Sequence, residues 1–264
     1  MKEANTNIVL KTENLSIGYT TKKTIYTVAS SINFELHKGQ LIGLVGANGI
    51  GKSTLLRTLT KVQDAISGKV IINDSDLNAL SPIELAKQLS LVLTEPLYSK
   101  NSTVYELVAL GRHPYTNWVG TLTEEDKSIV DNALRLIGIE VLKSRRCFEL
   151  SDGQLQKVMI ARAIAQDTDL IILDEPTTHL DMYHKAYILK LLQKLTKETK
   201  KTILFSSHEI DLAIQLCDQM IVMTENEVVS DSPCKLIERG TFESLFPKDL
   251  IDFDSKTGSF KVKK

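Results

Sequence analysis

Apolar residues fall along this chain in two rhythms. The short runs Gln40 to Val45, Leu170 to Leu173 and Thr202 to Ser206 have the length and composition of strands buried on both faces. Between them apolar residues recur at helical spacing, and Leu55, Leu56 and Leu59 place a helix soon after the first run. Ile8 to Leu36 mixes β-branched and polar residues and is interrupted by Gly18 and Tyr19, a pattern that predicts short antiparallel strands. Gly68 to Asn73 reads as a further strand. Ser81-Pro82 opens a helix, with serine as N-cap and proline at the first position. From about Ser99 to Asp167 the pattern is mostly helical, with helix starts at Thr123 and Ser151. Ile251 to Asp254 and Ser259 to Val262 flank Ser255 to Gly258 as a small hairpin.

Strands alternating with helices predict an α/β fold with a mainly parallel sheet. An antiparallel β subdomain precedes that sheet, and a helical subdomain is inserted at about residues 99–167. With no internal repeat, the simplest division is one domain over residues 8–233 and a C-terminal extension over 234–264. The 264 residues, 42% hydrophobic and 25% charged, suit a globular protein with a sizeable core. A formal net charge of −1 removes the bulk electrostatic argument for nucleic acid, and none is expected as a partner. Cys147, Cys217 and Cys234 lack metal-ligand spacing and are expected as reduced thiols. Met1 to Thr12 lacks the pattern of a signal peptide, and no apolar run approaches the ~20 residues that span a bilayer. Any membrane role is therefore expected from the cytoplasmic side, through a partner.

The chemistry begins at Gly46-Ala47-Asn48-Gly49-Ile50-Gly51-Lys52-Ser53, which fits G-x-x-x-x-G-K-[ST] between a predicted strand and a predicted helix. Its glycines allow backbone N–H groups and a helix N-terminus to face phosphate. Lys52 would reach the β- and γ-phosphates, and Ser53 would hold Mg²⁺. Two carboxylates, Asp174 and Glu175, follow the buried run Leu170 to Leu173, at the strand end where α/β sheets bind ligands. Asp174 is assigned to Mg²⁺ and Glu175 to polarising the attacking water as general base.

Leu150-Ser151-Asp152-Gly153-Gln154, shortly before Asp174, resembles the signature motif of ABC ATPases, usually LSGGQ. The resemblance runs from about Ile8 to Pro233 and implies a P-loop NTPase fold, ATP hydrolysis, and two copies head to tail with ATP sandwiched between them. Ser151, Gly153 and Gln154 would contact the ATP held by the other copy. Asp152 departs from the family's glycine and is read as tolerated rather than catalytic. Ser206-Ser207-His208 is similar to the switch histidine segment, so His208 joins Glu175 as a catalytic residue. Thr178-His179-Leu180-Asp181 resembles the D-loop, with Asp181 crossing the interface. Tyr19 sits where the family stacks an aromatic ring on adenine. The implied ATP contacts in the cradle are Gly46, Asn48, Gly49, Gly51, Lys52, Ser53 and Thr54.

The glutamine loop does not match: Leu91-Val92-Leu93-Thr94-Glu95 has no glutamine, and Thr94 or Glu95 would supply the oxygen ligand to Mg²⁺. Val108 to Tyr115 contains Gly111-Arg112-His113-Pro114-Tyr115, which resembles importer ATPases handling ferric siderophores, haem and cobalamin. That resemblance implies a multi-span permease, indirectly a solute-binding protein, and a peripheral place on the cytoplasmic face of the inner (plasma) membrane. A soluble ABC ATPase acting on a non-transport partner is the alternative reading.

Overall fold

The computed structural model describes residues 7–21, 24–93, 101–246 and 249–263. It opens with β1 (Ile8–Thr20) and β2 (Ile25–His37), each 13 residues long. These are long strands, where interruption at Gly18 and Tyr19 predicts short ones. β1 absorbs the irregularity through register shifts against β2, one of them between Ile17 and Gly18. A Cβ at Gly18 would lie 2.0 Å from the Tyr26 carbonyl oxygen, so the strand continues there only because the residue is glycine. β3 (Leu41–Gly46), α1 (Lys52–Leu59), β4 (Ser67–Ile72) and β5 (Ser75–Asp76) follow. The order β2-β1-β4-β5 makes an antiparallel sheet.

The chain then forms α2 (Pro82–Ala86), β6 (Leu89–Val92), α3 (Val104–Ala109), α4 (Glu124–Ile137) and α5 (Asp152–Ala165). Ser81, Thr103, Thr123 and Ser151 each cap the next helix in a reciprocal capping box, which satisfies N–H groups that would otherwise lack partners. The rest comprises β7 (Leu170–Leu173), α6 (Met182–Thr199), β8 (Thr202–Ser206), α7 (Ile210–Leu216), β9 (Gln219–Met223), β10 (Val228–Asp231), α8 (Pro233–Glu238), β11 (Ile251–Asp254) and β12 (Ser259–Val262).

The central sheet has the order β10-β9-β3-β8-β7-β6, parallel throughout except between β10 and β9. Its inner strands β3, β8 and β7 are buried along their whole length because both faces are covered. Along β3, Ile42 and Leu44 join the core beneath the antiparallel sheet and α1, while Leu41 and Val45 join the core beneath the helical layer. The parallel strands end on one edge. P-loop, Asp174 and Ser207 leave β3, β7 and β8 there, so the sheet gathers residues more than a hundred positions apart.

The division expected between residues 233 and 234 falls inside α8 (Pro233–Glu238). Beyond it, Leu236 and Phe242 are fully buried in the same core as Met220 and Val222 of β9. The β11–β12 hairpin stacks Phe253 on Phe242 with ring centroids 5.2 Å apart. No helix among the described residues is long and apolar enough to cross a membrane.

Candidate nucleotide site

The turn after β3 is set by its glycines. Gly51, N-cap of α1, has φ 112°, and a Cβ on it would lie 2.3 Å from Val28 Cγ1 of β2. Gly49 has φ 76°, and with Asn48 it forms the exposed crest of the loop. The first turn of α1 carries no acidic residue, so nothing in it neutralises the positive end of the helix dipole. Lys52 is 5% exposed. Its ammonium folds back on the loop, donating to the Gly46 carbonyl at 2.9 Å and the Ala47 carbonyl at 3.1 Å. Burial lowers the Lys52 pKa, and the nearby Glu175 and Asp174 carboxylates act in the opposite sense.

Tyr19, next to last in β1, is about half exposed and shares a hydrogen bond of 2.8 Å with the buried Thr54 hydroxyl. The bond fixes the phenol tip and leaves the ring beside an open cavity of about 540 Å³, lined also by Arg57, Gln63 and Leu93.

Across the sheet edge, the Asp174 N–H donates to the Val92 carbonyl at 2.8 Å. Asp174 Oδ1 accepts from Ser206 Oγ at 2.7 Å and from Ser53 Oγ at 3.4 Å. Glu175 adopts φ 46°, a left-handed conformation uncommon for a residue with a Cβ and one that needs support from its surroundings. The support is visible: its N–H donates to Ser206 Oγ at 2.8 Å. Oε1 lies 2.6 Å from His208 Nε2, and Oε2 accepts from Thr178 Oγ1 at 3.0 Å. Ser206 therefore links the two carboxylates, receiving from one residue and donating to the other. Neither Ser206 nor Thr178 stands out in the sequence as a partner of a carboxylate. The signal that finds Ser206 is the register Leu173↔Phe205 between β7 and β8, which sets the residue after Phe205 beside Asp174.

Ser151 to Gln154 lies apart, at the start of α5 in the helical layer. Ser151 Oγ accepts from the Gln154 N–H at 3.3 Å, and the Gln154 side chain accepts from the Ser151 N–H at 3.1 Å. Ser151 and Asp152 are exposed, and Asp152 occupies the first helical position, where the helix dipole favours a carboxylate. Gly153 packs against α6: a Cβ on it would stand 3.4 Å from His184 Cδ2 and 3.7 Å from Leu180 Cδ2. Asp181 caps α6 by accepting from the His184 N–H at 2.8 Å, with His184 Nδ1 2.9 Å from the same oxygen. His184 thus brings Asp181 and Gly153 together, a link that sequence reading misses. Thr94 and Glu95 lie outside the described residues.

Two hard oxygens, Ser53 Oγ and Asp174 Oδ1, face each other beside the loop, a donor pair that suits Mg²⁺ when phosphate oxygens and water complete the shell. Among the described residues no group of three or more His, Cys, Asp or Glu side chains could hold a metal alone.

The ABC transporter family model matches residues 29–178, more than half of the chain. An uncharacterised ABC transporter ATP-binding protein of Methanocaldococcus jannaschii is 39% identical over 97% of this chain and 87% of its own length. The iron(3+)-hydroxamate import ATP-binding protein of Bacillus subtilis is 36% identical over 84% of this chain and 81% of its own. Among solved structures, an inward-facing metal-chelate type ABC transporter superposes with TM-score 0.79 at 26% identity, covering 97% of this chain and 96% of that one. A dimeric ATP-binding cassette in a post-hydrolysis state, bound to ADP and Pi, gives TM-score 0.72 at 26% identity over 85% of this chain and 98% of that one. A phosphate loop facing two supported carboxylates across one sheet edge agrees with these likenesses, and the chain belongs to the ABC transporter family as its ATP-binding, ATP-hydrolysing subunit.

Proposed function

We propose that two copies of this chain, head to tail, hydrolyse ATP to drive import of an iron chelate, of the ferric siderophore class, through a membrane permease. The observation that carries the chemistry is the Glu175 carboxylate, held by His208 and Thr178 at the open sheet edge that also carries the P-loop. Import of an iron chelate is supported by the Bacillus subtilis relative and the metal-chelate type transporter. Haem and cobalamin are the neighbouring solute classes that a transport assay would separate from it. The permease would hold the chain at the cytoplasmic face of the inner membrane, with a solute-binding protein acting indirectly.

The amides of the Gly46–Gly51 turn and the start of α1 receive the phosphates. Lys52 leaves its two carbonyl partners to reach the β- and γ-phosphates. Tyr19 offers its ring to the adenine. Ser53 and Asp174 would hold Mg²⁺, with Thr94 or Glu95 as the expected third oxygen donor, and the ion would supply charge compensation at the phosphates. Glu175 takes a proton from the attacking water as the bond between the γ-phosphorus and the bridging oxygen breaks, releasing ADP and phosphate. Each carboxylate oxygen has two lone pairs, so bonds to His208 and Thr178 leave acceptor capacity for that proton. His208 keeps Glu175 oriented and would contact the γ-phosphate.

Ser151, Gly153 and Gln154 would complete the site of the opposite copy, and Asp181 would cross the same interface. The dimeric ADP- and Pi-bound cassette is a precedent for two such chains pairing. Closure is then the state that two bound ATP molecules select, because contacts with the signature segment exist only when the copies meet.

Affinity isolation of the tagged chain from gently solubilised native membranes tests the transport reading. A multi-span permease in stoichiometric amount, with uptake of a ferric hydroxamate lost in Lys52→Ala, is the expected result. Recovery of soluble partners alone would overturn transport and favour an ABC ATPase acting elsewhere.

A further inference from the structure

After α3 the chain makes a 3-10 turn, Leu110–Tyr115, which contains the Gly111-Arg112-His113-Pro114-Tyr115 pattern. An arginine beside a permease-facing surface would be exposed, yet Arg112 is 5% exposed. Its Nε donates to Asp126 Oδ1 at 2.8 Å and one terminal nitrogen donates to the Ala165 carbonyl at 2.9 Å. The Tyr115 ring covers the guanidinium, with its centroid 4.0 Å from the central carbon. Gly111 lets this turn approach α5, since a Cβ there would lie 2.3 Å from the Arg162 carbonyl oxygen.

Ala165 is the last residue of α5, so its carbonyl is among those a helix leaves without an internal partner. Asp126 belongs to the first turn of α4 and bonds back to Thr123. One buried cation therefore ties the carboxyl end of α5 to the amino end of α4. On the other side of the same helix end, Gln166 donates to the Ala86 and Leu89 carbonyls at 2.7 and 2.9 Å, which anchors it to the central sheet. Relative to apolar packing, a buried ion pair contributes little net stability. The arrangement therefore calls for a role in geometry.

We propose that Arg112 is a positioning residue for the signature segment, bracing the far end of α5 so that Ser151 and Gly153 meet the opposite copy's nucleotide at a fixed angle. The proposal rests on the head-to-tail reading above. The 14 residues of α5 span about 21 Å at ~1.5 Å per residue. Loss of the brace that allowed a tilt of about 1.5° would move the amino end by about 0.5 Å, enough for a loss of about tenfold where a ~1 Å misplacement costs ~10²-fold in rate.

Two variants test this: Arg112→Lys, and the double change Arg112→Met with Asp126→Asn, which leaves no unpaired buried carboxylate. Hydrogen exchange of the amides of residues 155–160 is measured without nucleotide, and ATP affinity and turnover are measured with Mg²⁺. In the double variant, exchange should be about fivefold faster and turnover about tenfold lower, with ATP affinity within about twofold. Arg112→Lys should fall between, because an ammonium lacks the planar fork that serves both partners. Unchanged exchange in both variants overturns the brace and leaves the head-to-tail reading intact. Faster exchange with unchanged turnover overturns the positioning role and counts against any part for the signature segment. ATP affinity falling in step with turnover would show general damage and also overturn it.

Discussion

The edge of the central sheet and the start of α5 both carry residues proposed for one reaction, yet they are built in opposite ways. At the sheet edge, Asp174, Glu175, Ser206, Thr178 and His208 bond one another across two chain segments. At α5, Ser151 and Gln154 bond each other and otherwise present an exposed helix start. The first region can hold its geometry within one chain. The second is a surface whose geometry acquires meaning when something docks on it. On the head-to-tail proposal, a reaction divided this way would be gated by assembly, because each copy would carry both halves and complete the other copy's site.

The largest effect expected from the sheet edge is that of Glu175→Gln. Turnover should fall by about 10²- to 10⁴-fold, the range for a positioned general base, while ATP affinity measured with a fluorescent analogue stays near that of the unaltered protein. Near-normal turnover would assign the water to another group. Lys52→Ala should weaken ATP binding by roughly 30- to 150-fold, the equivalent of ~2–3 kcal/mol for a charge-assisted bond, and isothermal titration would show it directly. Ser151→Ala sharpens the contrast: turnover should drop about tenfold with little change in the affinity of the isolated subunit, while loss of the cap costs ~1 kcal/mol by thermal unfolding. Equal loss of affinity and turnover would place Ser151 in its own chain's site.

Asp126 gives a pH-dependent handle on the helical layer. Bonds from Thr123, and then from Arg112, hold its carboxyl down to about 2, against 3.8 ordinarily. A depressed carboxylate stabilises the fold above the unfolded-state value, and that contribution fades as pH falls through the folded-state value. Asp126→Asn should therefore melt earlier than the unaltered protein at pH 6, and the gap should close between about pH 4 and 2. A constant gap across that window would remove the ionised carboxylate as its cause. The smallest effect is expected for Tyr19→Phe, which keeps the ring and loses the Thr54 bond. ATP affinity should change by no more than about threefold, whereas a larger loss would make the hydroxyl, not the ring face, the working part of Tyr19.

The sheet edge was more legible in sequence than the helical layer, for a physical reason. Residues 46–53 declare themselves because phosphate binding needs glycine, lysine and hydroxyl at fixed spacing on one continuous turn. Leu170 to Leu173 is likewise a local signal, and the caps at Ser81, Thr123 and Ser151 follow from residue type and position. Arg112 was not legible in this way. Its partners Asp126 and Ala165 are 14 and 53 positions away, and nothing local distinguishes a buried arginine from a solvated one. Ser206 escaped for a similar reason, since its role depends on strand register. At the C-terminal segment, division by pattern at residue 233 gives no hint that Phe242 is buried in the main core.

The folded-back posture of Lys52 bears on which nucleotides can engage the loop. Its ammonium already has two carbonyl acceptors, so an incoming ligand must offer more than those bonds provide. A chain of phosphates carrying several negative charges does so. A nucleoside or a monophosphate, lacking the outer phosphates, has less charge to set against the same two bonds. A lysine held this way would weigh the charge of a ligand before its base is read, favouring triphosphate over adenosine or AMP.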